Sequence, residues 1–152
     1  EFILAGGALY NNLDYSFTVG HEDGTFVYPA KQPGGGNPEF RRQMKVLKDF
    51  IHSFDFVKLR PDKAIVKGGV PEKGRVQALV EPGRQYAVYV FGGGGGQEIG
   101  LALDLPQGNY RVEWVNTLTG KIDKRETIRH SAGQVTLSSP AYEQDVALRI
   151  RK

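Results

Sequence analysis

At 152 residues with 39% hydrophobic side chains, the chain is long enough for one domain or two small ones and too apolar to be disordered. It has no apolar run of 18 residues, which excludes a membrane-spanning helix, and no cysteine, which excludes disulfides and thiolate metal sites. The net charge is +3; residues 1–62 carry seven basic and eight acidic side chains and residues 63–152 carry thirteen and nine, so neither half has the dense basic patch that nucleic acid requires.

In chain order, Phe2, Ile3, Leu4 and Ala5 form a continuous apolar run closed by Gly6-Gly7. A run apolar on both faces fits a buried strand. Four residues do not separate strand from buried helix by period, and the glycines favour a strand end. A chain that opens inside such an element, with no signal peptide in view, is expected to lack an upstream part of its fold. Residues 8–36 then form a long connection. It carries Tyr10, Tyr15, Phe17, Phe26 and Tyr28, with Asn11, Asn12, Asp14, His21, Glu22 and Asp23 between them. Structureless connections of this length are uncommon in compact domains and are often functional.

Residues 37–54, NPEFRRQMKVLKDFIHSF, read as one amphipathic helix. Asn37 suits the N-cap, Pro38 the first helical position, and Glu39 the positive end of the dipole. Phe40, Met44, Leu47, Ile51 and Phe54 recur at helical period, and Val46 and Phe50 widen the stripe. Arg41, Arg42, Lys45 and Lys48 fall mostly off it. Their plain reading is a solvated face, because the aromatics face inward rather than between the basic residues. A stripe this rich must be buried.

After an extended segment at 55–60 and the Pro61-Asp62 boundary, strands are expected at 64–67, 75–80, 85–91, 99–105, 109–116, 121–129, 134–138 and 145–151. Glycine and proline turn signals separate them. Tyr110, Val112 and Trp114 alternate with Arg111 and Glu113, giving one buried and one wet face. The expected fold class is mainly β: an antiparallel β-sandwich of about eight strands, preceded by one long amphipathic helix and an N-terminal strand and loop.

Several groups bear on chemistry. His21-Glu22-Asp23 sets a histidine beside carboxylates, but a metal needs three or four converging ligands, and adjacent loop residues also read as a polar turn. Tyr10 and Tyr15 suit a sugar-stacking platform, whereas Trp114, on a strand, reads as core. The five glycines 92–96 lack the following Lys-Ser or Lys-Thr and the following helix of a phosphate loop. They read as a hairpin loop. His52 and His130 have no evident partner, and no G-x-S-x-G elbow occurs.

Three stretches, FILAGGALYNNLDYSFTVGHEDG, PGGGNPEFRRQMKVLKDFIHSFDFVKLRPD and LALDLPQGNYRVEWVNTLTG, together resemble the C-terminal end of bacterial glycoside-hydrolase-like proteins. In that family a (β/α) barrel is followed by a β-sandwich that carries the label of a collagen-binding domain of collagenase-like proteins. The resemblance implies that residues 1–62 are a barrel-end remnant, with 2–5 the last strand, 8–36 the last strand-to-helix loop and 37–54 the last helix. Residues 63–152 would be the sandwich. Such a loop lies on the face where barrel active sites are built, which implies a place at the rim of a glycan site for Tyr10, Asn12, Asp14, Tyr15, His21 and Glu22. Glycoside hydrolysis needs two carboxylates across the scissile bond. Asp14, Glu22 and Asp23 share one loop and are not assigned as that pair.

The implied protein is therefore a non-catalytic part of a carbohydrate-active hydrolase, with no cofactor and no metal, secreted or periplasmic. Its implied partners are a polysaccharide or glycan, with collagen suggested by the family label, and the missing upstream barrel; neither nucleic acid nor membrane is expected. The alternative is an autonomous polysaccharide- or collagen-binding module. The helix stripe, lacking a barrel wall, is expected to hide against the sandwich, against the N-terminal loop, or in a homo-oligomer.

Overall fold

The computed structural model describes residues 1–8, 13–29, 35–93 and 95–152. Helix α1 (Pro38–His52) begins as expected: the Asn37 side-chain oxygen accepts the Phe40 backbone N–H at 2.7 Å, with Asn37 itself extended. It ends one turn past Lys48, where the Ser53 hydroxyl donates to the Phe50 carbonyl at 2.6 Å. This satisfies a carbonyl the helix end would leave orphaned.

Nine strands follow: β1 (Arg60–Pro61), β2 (Val66–Gly68), β3 (Arg75–Glu81), β4 (Gln85–Phe91), β5 (Gly100–Leu105), β6 (Gly108–Val115), β7 (Ile122–His130), β8 (Gly133–Ser138) and β9 (Asp145–Arg151). They form a six-stranded sheet in the order β1-β3-β4-β9-β6-β7 and a three-stranded sheet in the order β2-β5-β8. Every pairing is antiparallel. The chain changes sheets six times, at β1–β2, β2–β3, β4–β5, β5–β6, β7–β8 and β8–β9, which makes a β-sandwich. The tight β3–β4 turn is served by Gly83 at φ +77°. In the β6–β7 turn the Asn116 side chain accepts the N–H groups of Leu118 and Thr119.

The core lies between the sheets. Tyr110, Val112 and Trp114 of β6, Val88 of β4 and Leu148 of β9 meet Leu101, Leu103 and Leu105 of β5, all buried. Trp114 is core, as its alternation predicts. Its indole Nε1 has no hydrogen-bond partner among the described residues.

A second apolar cluster forms on the other face of the six-stranded sheet. Phe50, Ile51 and Phe54 pack with Leu4 onto Leu79, Ala87, Ala147 and Val115. The C-terminal part of the helix stripe is thus covered by the sandwich, one of the alternatives expected for it. Strands β3, β4 and β9 are consequently apolar on both faces; Val146, Ala147 and Leu148 are buried in succession. Phe40, Met44 and Leu47, nearer the helix start, are half-buried. They line a cleft of about 270 Å³ against Tyr89, Asp145 and Ala147.

Two local expectations are corrected. Residues 2–5 are not a strand: Ile3–Ala5 form a 3-10 turn ended by Gly6 at φ +97°. No strand pairs with this segment among the described residues, and only Leu4 needs burial; Phe2 is 54% exposed, so a single turn does what a two-sided strand would have done. The 55–60 segment is likewise a 3-10 turn, Phe56–Lys58, followed by the short edge strand β1. There Arg60 pairs with Val80 and Pro61 with Leu79; proline is tolerated at an edge because it donates nothing to a neighbour.

Candidate functional site

The expected site is the loop before α1. Tyr10 and Asn12 lie outside the described residues. Of the others, Asp14 is the anchor. Its carboxylate accepts the Ser16 hydroxyl at 2.5 Å, the Ser16 N–H at 3.0 Å and Nη1 of Arg41 at 2.8 Å. The Ser16 hydroxyl, and then Arg41, hold the Asp14 carboxyl below the usual carboxylate range. Arg41 projects from the first turn of α1. It also donates to the Ser16 hydroxyl and the Gly24 carbonyl and stands 4.7 Å over the Phe17 ring. One helix side chain therefore fixes both ends of the segment 14–24.

Tyr15 stacks on Tyr28 at 5.4 Å and 16° while staying exposed. That presents an aromatic face of the kind that binds a sugar ring by its apolar side. His21 Nδ1 lies 3.1 Å from the Thr25 hydroxyl, and its ring meets Phe26 edge-on. Glu22 accepts the Gly20 N–H at 3.0 Å. Asp23 accepts the Thr25 N–H and hydroxyl. The loop thus brings Asp14, Tyr15, His21 and Glu22 onto one segment, with the polar groups engaged by local turns. No group of three metal-ligating side chains occurs among the described residues. Backbone hydrogen bonds hold the Glu22 carboxyl below its ordinary value, and the Thr25 hydroxyl does the same for Asp23. With Asp14 they are ionised at neutral pH, whereas a general acid for glycoside cleavage needs a raised pKa.

A second constellation escaped the sequence reading. Glu113, on the outer face of β6, is 1% exposed. It accepts Nε of Arg125 at 2.8 Å, Nε of Arg149 at 2.7 Å and Nη2 of Arg151 at 3.3 Å, and it pairs with Nε of Arg111 at 2.9 Å. Burial alone would raise the Glu113 pKa; the Arg149 hydrogen bond and the surrounding guanidinium charges outweigh it and hold the carboxyl below its ordinary value. Arg151 reaches on to the Ser53 carbonyl at the helix end, and the Gln85 amide bonds both the N–H and the carbonyl of Asp55. The helix exit is therefore tied to the sheet by polar as well as apolar contacts. The only sequence signal was the repeated placing of arginine at outward positions of β6, β7 and β9.

No protein-family model matches the sequence, and no curated protein does. The fold is found within solved glycoside hydrolase chains. One, titled "Glycoside hydrolase", is 21% identical with a TM-score of 0.55, covering 84% of this chain and 30% of its own. Another, a glycoside hydrolase family 5 structure from Bacteroides vulgatus ATCC 8482, is 18% identical with a TM-score of 0.56 and the same coverages. At these identities the likeness is one of fold. Strands and their connections from residue 60 onward make up about three fifths of the chain, so a match over 84% also takes in part of what precedes them. The chain spans only about 30% of the length of these hydrolases.

Proposed function

We propose that this chain is the non-catalytic accessory part of a carbohydrate-active, glycoside-hydrolase-like protein, with residues 1–62 the end of a (β/α) barrel and residues 63–152 a sandwich that braces it. The observation that carries this reading is the apolar face of α1 packed on the outer face of the six-stranded sheet. A helix shared in this way between a barrel and a sandwich would hold the two as one body. The fold likeness to glycoside hydrolases supports the class. Asp14, Glu22 and Asp23 support a non-catalytic role: all three lie on one loop and their carboxyls are held below the ordinary range, while glycoside hydrolysis needs a protonated and an ionised carboxyl across the bond. Loop 8–36, with Tyr10, Asn12, Asp14, Tyr15, His21 and Glu22, would form the rim of a glycan site, Tyr15 being the stacking surface.

The test compares the natural gene product with this chain. A product well above 16.8 kDa that cleaves glycosides, beside a silent 152-residue chain, is the expected result. In that product Tyr15→Ala is expected to raise KM with little change in kcat. A gene product of this chain's own mass, or turnover by this chain that Glu22→Gln abolishes, would overturn the proposal.

A further inference from the structure

We infer that the open arginine face of the six-stranded sheet is a docking surface for a uronic-acid polysaccharide, whose carboxylates seat on the guanidinium groups gathered around Glu113. The inference rests on the reading of this chain as part of a glycan-processing protein and names the glycan class.

Helix α1 covers the β3, β4 and β9 side of this sheet face and the Val115 end of β6, and leaves the rest of the β6 and β7 side open. On that open side four arginines, 111, 125, 149 and 151, surround one buried carboxylate. Register places Arg129 on the same face, opposite Asn109. Glu113 neutralises one of these five positive charges. Arg111 and Arg125 are about half exposed, at 51% and 52%. They turn Nε inward to Glu113, and among the described residues their Nη groups make no hydrogen bond. A shallow depression of about 440 Å³ opens between Arg111, Thr127, Arg151 and Lys152.

So concentrated a surplus of like charge, fixed in place by a buried counter-ion, favours an anionic ligand. The guanidinium fork matches a planar carboxylate, and the cluster already seats one. The outward positions between the arginines are polar, Asn109 and Thr127. The face therefore lacks the aromatic and aliphatic anchors that give protein interfaces their strength, and the rings on which single-stranded nucleic acid stacks. Arginines carried by neighbouring strands, about 4.8 Å apart, suit an extended polymer with repeated carboxylates.

Affinity electrophoresis of this chain in gels containing polygalacturonate tests the inference, with hydroxyethylcellulose as the neutral glycan and dextran sulfate and single-stranded DNA as polyanions without uronate. Retardation by polygalacturonate is expected, weakening as salt rises. Its apparent Kd should rise at least tenfold in the Arg111→Gln/Arg125→Gln double variant. Arg129→Gln, which stands outside the Glu113 cluster and spares the fold, should weaken binding about threefold. No retardation, or retardation unchanged in these variants, would overturn the inference. Tighter binding to dextran sulfate or DNA at equal salt would overturn the uronate assignment. Retention by hydroxyethylcellulose alone would also overturn it, yet leave the glycan-accessory reading standing; that reading falls separately, by the mass and turnover of the gene product.

Discussion

Replacing Glu113 with glutamine preserves its shape and removes one charge, and the structure sets the size of the effect. The carboxylate is buried and lies within 2.9 Å of three guanidinium nitrogens, on Arg111, Arg125 and Arg149. Removing one partner of a buried ion pair costs about 3–5 kcal/mol, because the remaining charge is left uncompensated. Arg111 and Arg125 are half exposed and can turn to water, whereas the Arg149 side chain is 14% exposed, so the low end, about 3 kcal/mol, applies. For a chain of this size that lowers Tm by about 6–12 °C. Scanning calorimetry of wild type and E113Q in low and high salt is the assay. Salt screens the repulsion among the stranded arginines, so the deficit should shrink in high salt. The pH dependence has a definite sign. The folded-state pKa of Glu113 is depressed, so its contribution is fully present above the unfolded value of about 4.3 and is lost as pH falls through the lower folded value. A Tm of E113Q within 2 °C of wild type, or a deficit indifferent to salt, would refute the reasoning.

Three further outcomes are expected. Phe50→Ala, which opens the cluster between α1 and the sheet, should cost about 3 kcal/mol in chemical unfolding; a loss below about 1 kcal/mol would mean that the helix does not pack there. Asn37→Ala should cost about 1 kcal/mol and speed amide exchange at Phe40 specifically. Arg41→Met should free the 14–24 segment, giving at least tenfold faster chymotryptic cleavage near Tyr15 and Phe17 with the Tm nearly unchanged; equal cleavage rates would show that Arg41 does not hold the loop.

What the sequence made legible follows from how local each signal is. The start of α1 is written in three adjacent residues, Asn37, Pro38 and Glu39, and β6 is written in the two-residue period of Tyr110, Val112 and Trp114. The cover of α1 was harder to see. Leu79, Ala87, Val115 and Ala147 sit on positions that alternation assigns to the wet face, and two of them are alanine, too small to announce a second core. The Glu113 cluster was invisible for a different reason. Arg149 meets Glu113 only because β9 lies beside β6, a neighbour relation between strands far apart in the chain. The Asp14–Arg41 pair, 27 residues apart, has the same character. The polar turn at 21–25 was readable because each of its hydrogen bonds closes within four residues.

The layering of helix on sheet on sheet has a consequence for anyone grafting this module onto another protein. A cut just after residue 62 would keep every strand of the sandwich except β1. It would also strip away Phe50, Ile51 and Phe54 and lay bare an oily strip along Leu79, Ala87, Ala147 and Val115, the kind of contiguous patch that drives self-association. A transplantable piece that keeps this cover begins no later than Asn37, with the helix travelling as the lid of its own sheet.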